Sequence, residues 1–263
     1  MHARPMANPN QTILYEQPLN ELIRVCLRLE QLFHQIDHQM KESSVLNARN
    51  TVSLIINLLQ LLDRPDLKAK LAKELSHQMS LLVRLKDSPQ IDQEALMTTL
   101  KQLDDLSRSF IDNSKKIAQP LREIELLNNL RLHLASPGGG CSFDIPLYHY
   151  WLQQPADLRH NTLIAWLSEF ETIRFATSLL LKLIRESAKY QQKTADHGFY
   201  QELLDPQINL RLIRVSIPLA VPAYPEISIG RHFLSVRFFT PSIDERPTQY
   251  LQHLPFWLAH CNS

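Results

Sequence analysis

Apolar residues at Leu19, Leu22, Cys26, Leu29, Phe33, Ile36 and Met40 recur at alternating spacings of three and four. That period predicts a long amphipathic helix with one buried seam. Ile23 and Leu27 widen the seam, and Arg24 and Arg28, four residues apart, share another face. Residues 45–62 are apolar around much of their circumference, which predicts a helix at the centre of a bundle. Pro65 opens a third helix with a stripe of Leu67, Leu71, Leu75, Met79 and Leu82, and Ser88-Pro89 ends it. Asp92 is placed to cap a fourth, facing inward through Leu96, Leu100, Leu103, Leu106 and Phe110. A fifth is expected over Leu121–Leu134, a short aromatic one over Pro146–Leu152, and one long helix over residues 161–190.

The period changes after the polar stretch 191–198. Residues 208–213 alternate, and Ile227–Ser228, Phe233–Phe239 and Tyr250–Ala259 also read as strands, punctuated by Pro222, Pro225, Gly230 and Pro241. Thr12–Glu16 is a β-prone run too short to stand alone, so it is expected to pair with this distant sheet. The predicted fold class is α+β: an N-terminal all-α helical bundle followed by a small antiparallel β domain that the N-terminal strand joins. The expected boundaries are a flexible leader over 1–11, a mainly helical domain over 12–190, and a β domain over 198–263.

Three of the five glycines stand together in Ser136-Pro137-Gly138-Gly139-Gly140-Cys141. The run lacks the Lys and Ser/Thr of a phosphate-binding loop and follows a helix rather than a strand, so it reads as a corner. The formal net charge of +1 supplies no field for nucleic acid or an anionic membrane. Three widely spaced cysteines argue for reduced thiols. The apolar run at residues 54–62 is too short to span a bilayer.

Candidate chemistry is sparse. Cys141, Asp144 and His149 suggest a thiol-dependent enzyme, but closeness in sequence does not place a base on a thiol; a capping Asp144 and a buried Cys141 are the simpler reading. His34 and His38 lack further ligands, and His260-Cys261 lies near the chain end, where fraying is usual. No metal, cofactor or catalytic set is therefore expected. What remains is basic: Arg24 with Arg28, Lys115-Lys116 with Arg122, Arg131 with His133, Arg211 with Arg214, and Arg231 and Arg237 near Phe233 and Phe238. Arginines beside aromatics suit an acidic peptide, because guanidinium grips carboxylates bidentately.

The stretch Tyr15-Glu16-Gln17-Pro18-Leu19-Asn20-Glu21, followed by Arg24 and Leu27-Arg28-Leu29-Glu30, resembles the N-terminal signature of the ZapD family. So do Pro137–Pro146 with His149 and Trp151, Gly198-Phe199-Tyr200, Ala223–Ser228 and Val236-Arg237-Phe238. The resemblance implies a cytoplasmic homodimeric factor at the mid-cell division ring. Such a factor binds the C-terminal tail of the tubulin-like GTPase FtsZ, cross-links FtsZ filaments and has no catalytic activity or cofactor. The family's basic surface would fall on Arg24, Arg28, His149, Arg231 and Arg237. Neither nucleic acid nor membrane insertion is implied.

Overall fold

The computed structural model describes residues 11–86, 92–205 and 207–262. The expected leader lies outside these residues except for Gln11, and so does the Ser88-Pro89 helix end. Two compact units are present. One is Val25–Leu181; the other joins the chain up to Arg24 with everything from Lys182 onward.

The helical unit follows the apolar stripes. Helix α1 (Glu21–Gln39) begins where Asn20 Oδ1 accepts the Ile23 N–H at 2.8 Å, and it buries Cys26, Leu29, Phe33 and Ile36. Helix α2 (Val45–Leu61), capped by Ser44, packs against α6 (Glu125–His133), α7 (Pro146–Leu152) and α8 (Ala156–Ser168), which explains its broad apolar surface. Helices α3 (Leu67–Val83) and α4 (Gln93–Asp112) lie against each other, with Ser76 and Ser107 hydroxyls 3.0 Å apart. Asp92 caps α4 by accepting the Glu94 and Ala95 N–H groups.

Two helical expectations change. The segment expected as one helix over Leu121–Leu134 is a single turn, α5 (Gln119–Arg122), and then α6. The segment expected over 161–190 is α8 followed by α9 (Glu171–Glu186). Phe170 and Ile173 are both buried, so the apolar period runs through the break and hides it from the sequence.

The β unit holds two antiparallel sheets. The first has the order β1 (Thr12–Pro18), β4 (Leu210–Pro218), β8 (Leu254–Asn262), β2 (Gln191–Ala195). The N-terminal strand does join it: Thr12 lies opposite Pro218 and Pro18 opposite Leu212. The second has the order β3 (Phe199–Leu203), β6 (Phe233–Thr240), β5 (Tyr224–Ile229), with the short β7 (Thr248–Gln249) also on β6. Ile213, Val215, Ile217, Phe256 and Leu258 of the first sheet share one core with Leu234, Val236 and Phe238 of the second.

Strands β2 and β3 lie in the stretch expected to be a polar connection and just beyond it. β2 escapes notice because Gln191, Gln192 and Thr194 are exposed on an edge strand. A two-residue turn joins the two strands. His197 (φ 47°) and Gly198 (φ 71°) are both left-handed, and Asp196 and Phe199 exchange hydrogen bonds of 2.8 and 2.9 Å. A Cβ on Gly198 would come within 1.9 Å of the Tyr250 carbonyl oxygen, so the position admits only glycine. The last strand begins at Leu254 rather than Tyr250 and runs to Asn262. His260 and Cys261 are therefore paired in a sheet instead of frayed.

Candidate functional site

Three of the expected basic groups, Arg122, Arg131 and Arg214, are spent inside the units. In the helical unit, Asp63 takes Arg122 on Oδ1 and Arg131 on Oδ2, the latter at 2.7 Å. Arg122 also donates to the Ile117 and Leu59 carbonyls at 3.1 and 3.2 Å, which fastens the α5 turn to α2. Burial pushes the Asp63 carboxyl up, but the Arg131 hydrogen bond and the charges of Arg122, Arg131 and Lys116 outweigh it and hold the group below its ordinary range. Lys68 donates its ammonium to the Asn113 and Lys115 carbonyls.

The β unit has its own ion-pair knot. Glu16 on β1 receives Arg185 from the end of α9 through two contacts, 2.9 and 2.7 Å, and Arg214 from β4 at 2.9 Å. Arg214 also lies over the Tyr190 ring, 5.4 Å from its centroid. A bulge at Arg211 frees that residue's carbonyl, which accepts the Leu19 N–H at 3.0 Å. These contacts seat β1 in the sheet; they leave Arg214 little to offer a ligand.

Another set of basic side chains remains accessible. Arg24 is exposed and pairs with Glu21, one turn away on α1, at 2.6 Å. Arg28 and His149 are exposed, and neither side chain has a hydrogen-bond or ion-pair partner among the described residues. His149 sits on α7, which an aromatic stack anchors: Tyr148 to Trp151 at 6.0 Å and Trp151 to Trp166 at 5.9 Å. Burial pushes the Tyr148 hydroxyl up to about 12. With those rings inward, Leu147, His149 and Tyr150 face out.

The most developed surface is the outer face of the β3–β6–β5 sheet. Arg237 stands on the central strand, opposite Phe199 on one side and Glu226 on the other. Its guanidinium lies 5.7 Å from the centre of the Phe199 ring. The same face carries Ser235, the stacked pair Tyr224–Phe239 and, toward the other end, the exposed apolar side chains of Leu203 and Phe233. Arg231 extends from the β5–β6 turn, closed by Gly230 N–H donating to the Phe233 carbonyl at 2.8 Å. Phe238, expected beside the arginines, points the other way into the core, because alternate strand residues face opposite sides. Phe199, Leu203 and Glu226 come to this face through strand pairing, which the one-dimensional pattern did not assign.

The five expected residues thus divide between the units. Arg24, Arg231 and Arg237 belong to the β unit, and Arg28 and His149 to the helical unit. Arg24 and Arg28 are a turn apart on α1, and Arg231 and Arg237 occupy one hairpin.

The glycine loop serves as scaffold. Gly138 and Gly140 have φ values of 72° and 80°, and a Cβ on Gly139 would collide with the His133 carbonyl oxygen at 1.8 Å. Asp144 accepts the Gly140 and Cys141 N–H groups, each at 3.1 Å, and Arg49 donates to the Gly139 carbonyl. Cys141 is half-buried rather than buried, with its thiol donating to the Gly138 carbonyl at 3.1 Å. The carboxylate that would orient a Cys–His pair is occupied as a loop cap. Among the described residues, no helix is long and apolar enough to cross a membrane.

The fold and site define an α+β protein whose accessible chemistry is guanidinium beside aromatic and aliphatic surface. Residues 27–237 match the family model described as ZapD, a cell division protein. The chain is 39% identical to the cell division protein ZapD of Coxiella burnetii (strain RSA 493 / Nine Mile phase I), over 95% of this chain and 98% of the relative. It is 39% identical to that of Methylococcus capsulatus over 95% and 98%, and 35% identical to that of an Azoarcus species over 95% and 99%. The chain belongs to the ZapD family, and its role is in cell division.

Proposed function

We propose that this protein is a non-enzymatic, cytoplasmic factor of the mid-cell division ring that binds the C-terminal tail of FtsZ and cross-links FtsZ filaments. The observation that carries the reading is Arg237, exposed on the central strand of a sheet face with Phe199 opposite on one side and Glu226 on the other, in a chain of this family. A carboxylate of the tail meets the guanidinium, and apolar tail residues lie on Phe199, Phe233 and Leu203. Arg231 lies on the same hairpin, whereas Arg24, Arg28 and His149 supply further contacts for the filament. A homodimer presents two such surfaces, so one dimer bridges two filaments and bundling follows from valency without turnover.

Co-sedimentation with FtsZ and GTP, using full-length FtsZ and a form lacking the C-terminal tail, tests this. Pelleting with the full-length form alone is the expected result; equal pelleting of both rejects tail binding. Light scattering checks the dimer, and a mass near a single 30.5 kDa chain rejects the bridge.

A further inference from the structure

Besides the basic face, the β unit carries a second compact grouping of side chains that neither the family resemblance nor the proposed function uses. Asp196 and His197 occupy the β2–β3 turn, and His253 lies in the loop before β8. His253 Nδ1 is 3.0 Å from Asp196 Oδ1, and His197 Nε2 is 3.7 Å from the same oxygen. All three ligand atoms lie within 4.8 Å of one another, and the two imidazole centres are 5.3 Å apart. We propose that Asp196, His197 and His253 form a binding site for a late first-row divalent cation of the Zn²⁺ type.

The spacing admits a tetrahedral metal. Two ligands held about 2.0–2.1 Å from a tetrahedral ion stand about 3.4 Å from each other. The two carboxylate–imidazole separations, 3.0 and 3.7 Å, bracket that value.

Tautomer chemistry points the same way. His197 Nδ1 lies 3.0 Å from the Leu251 carbonyl oxygen, which can only accept, so this nitrogen carries the proton. In the neutral ring Nε2 then keeps its lone pair, and it faces Asp196. A metal-bound imidazole is commonly fixed in this way, one nitrogen donating to a backbone carbonyl while the other coordinates.

The backbone holds the three groups in place before any ion arrives. His197 is one of two non-glycine residues with positive φ among the described residues. The turn is closed by the paired Asp196–Phe199 hydrogen bonds. It is also tied to the loop bearing His253, through Gln249 Nε2 to the His197 carbonyl at 3.0 Å and Gly198 N–H to the Gln252 carbonyl at 3.2 Å. Each of the three side chains is about 70% exposed, so an ion reaches the site directly from water and keeps water in its remaining positions. Two imidazole nitrogens and one carboxylate select Zn²⁺, Ni²⁺ or Cu²⁺ over Mg²⁺ and Ca²⁺, which prefer oxygen.

Isothermal titration of Zn²⁺ into the full chain, free of any polyhistidine tag, tests the site, with Mg²⁺ as the control and the visible absorption of bound Co²⁺ as a second readout. The expected result is one Zn²⁺ per chain, no Mg²⁺ heat, and a Co²⁺ spectrum of nitrogen and oxygen ligation. His197→Asn keeps a residue that tolerates the left-handed turn, and His253→Asn removes the partner ligand. Each should weaken Zn²⁺ binding by at least about tenfold, the lower end for losing even an outer partner of a metal ligand. Circular dichroism should be unchanged in both. Zn²⁺ binding of equal strength in both variants, or none in the parent chain, overturns the proposal. FtsZ pelleting is not a readout here, so either conclusion can fail without the other.

Discussion

Two groups of arginines look alike in the sequence and behave differently in the structure. Arg122 and Arg131 converge on Asp63, as Arg185 and Arg214 converge on Glu16. Arg237, by contrast, has an aromatic ring beside it and an exposed Glu226 opposite, with no ion pair joining them. The difference lies in the carboxylates. Asp63 and Glu16 are partly buried and receive two guanidinium groups each, which turns those arginines into fasteners between elements. On the outer sheet face the arginine's charge is not cancelled by a bound carboxylate, and it stays available for one from another molecule. A basic residue is therefore a binding candidate only after its internal partners have been counted.

The sharpest way to break this comparison is Glu16→Ala. It leaves Arg185 and Arg214 facing each other with the shared carboxylate gone, and removes the side-chain ties that help seat β1 on the sheet. Stability should fall by about 3 kcal/mol, the lower end for stripping one partner from a buried pair. Urea unfolding followed by circular dichroism measures it. An unchanged midpoint would mean that water already satisfies these guanidinium groups.

Asp63→Asn should cost less, about 2 kcal/mol, because Asp63 is partly open to water and an amide oxygen still accepts a hydrogen bond. Its pH dependence adds a check. The folded-state pKa of Asp63 is lowered, so its contribution is fully present above the ordinary carboxylate value and is lost as pH falls through the folded value. The gap between parent and variant should therefore narrow from about pH 4 downward. A gap that stays constant with pH would assign the loss to packing rather than to charge.

Arg237→Glu turns the comparison around. Stability should move by no more than about 0.5 kcal/mol, as for an exposed substitution, while pelleting with full-length FtsZ falls to background. Normal pelleting by a folded variant would remove the outer sheet face from the binding surface.

Much of the scaffold was legible in the sequence because burial follows period. The seam through Cys26, Leu29, Phe33 and Ile36 and the α4 stripe both face inward as read. What escaped was set by pairing across distance. Gln191–Ala195 carries no apolar alternation, and it is a strand only because β8 supplies its hydrogen bonds. The α8–α9 break carries no proline or glycine to announce it. Cys261 lies near the chain end, where the sequence suggests fraying, yet it is buried opposite Leu212. The basic surface was half legible: residue type picked out Arg237, but only strand register places Phe199 and Glu226 beside it. Arg122 and Arg214 were misleading because their partners, Asp63 and Glu16, are far away in sequence.

The smallest expected effect concerns the thiols. Burial, with the nearby charges of Glu74 and Glu30, pushes the Cys26 thiol up to about 12, and burial pushes Cys261 up to about 11. Both are shielded from reagents and hold almost no thiolate near neutral pH. Cys141 is half-buried on the glycine loop and should take up iodoacetamide first. Mass spectrometry of the native protein should find one modified site, at Cys141, with the other two reacting only in urea. Because Asp144 and Arg49 hold this loop through its backbone, the modification should leave FtsZ pelleting unchanged. Loss of pelleting would give the loop a direct part in binding; it would then no longer be scaffold alone.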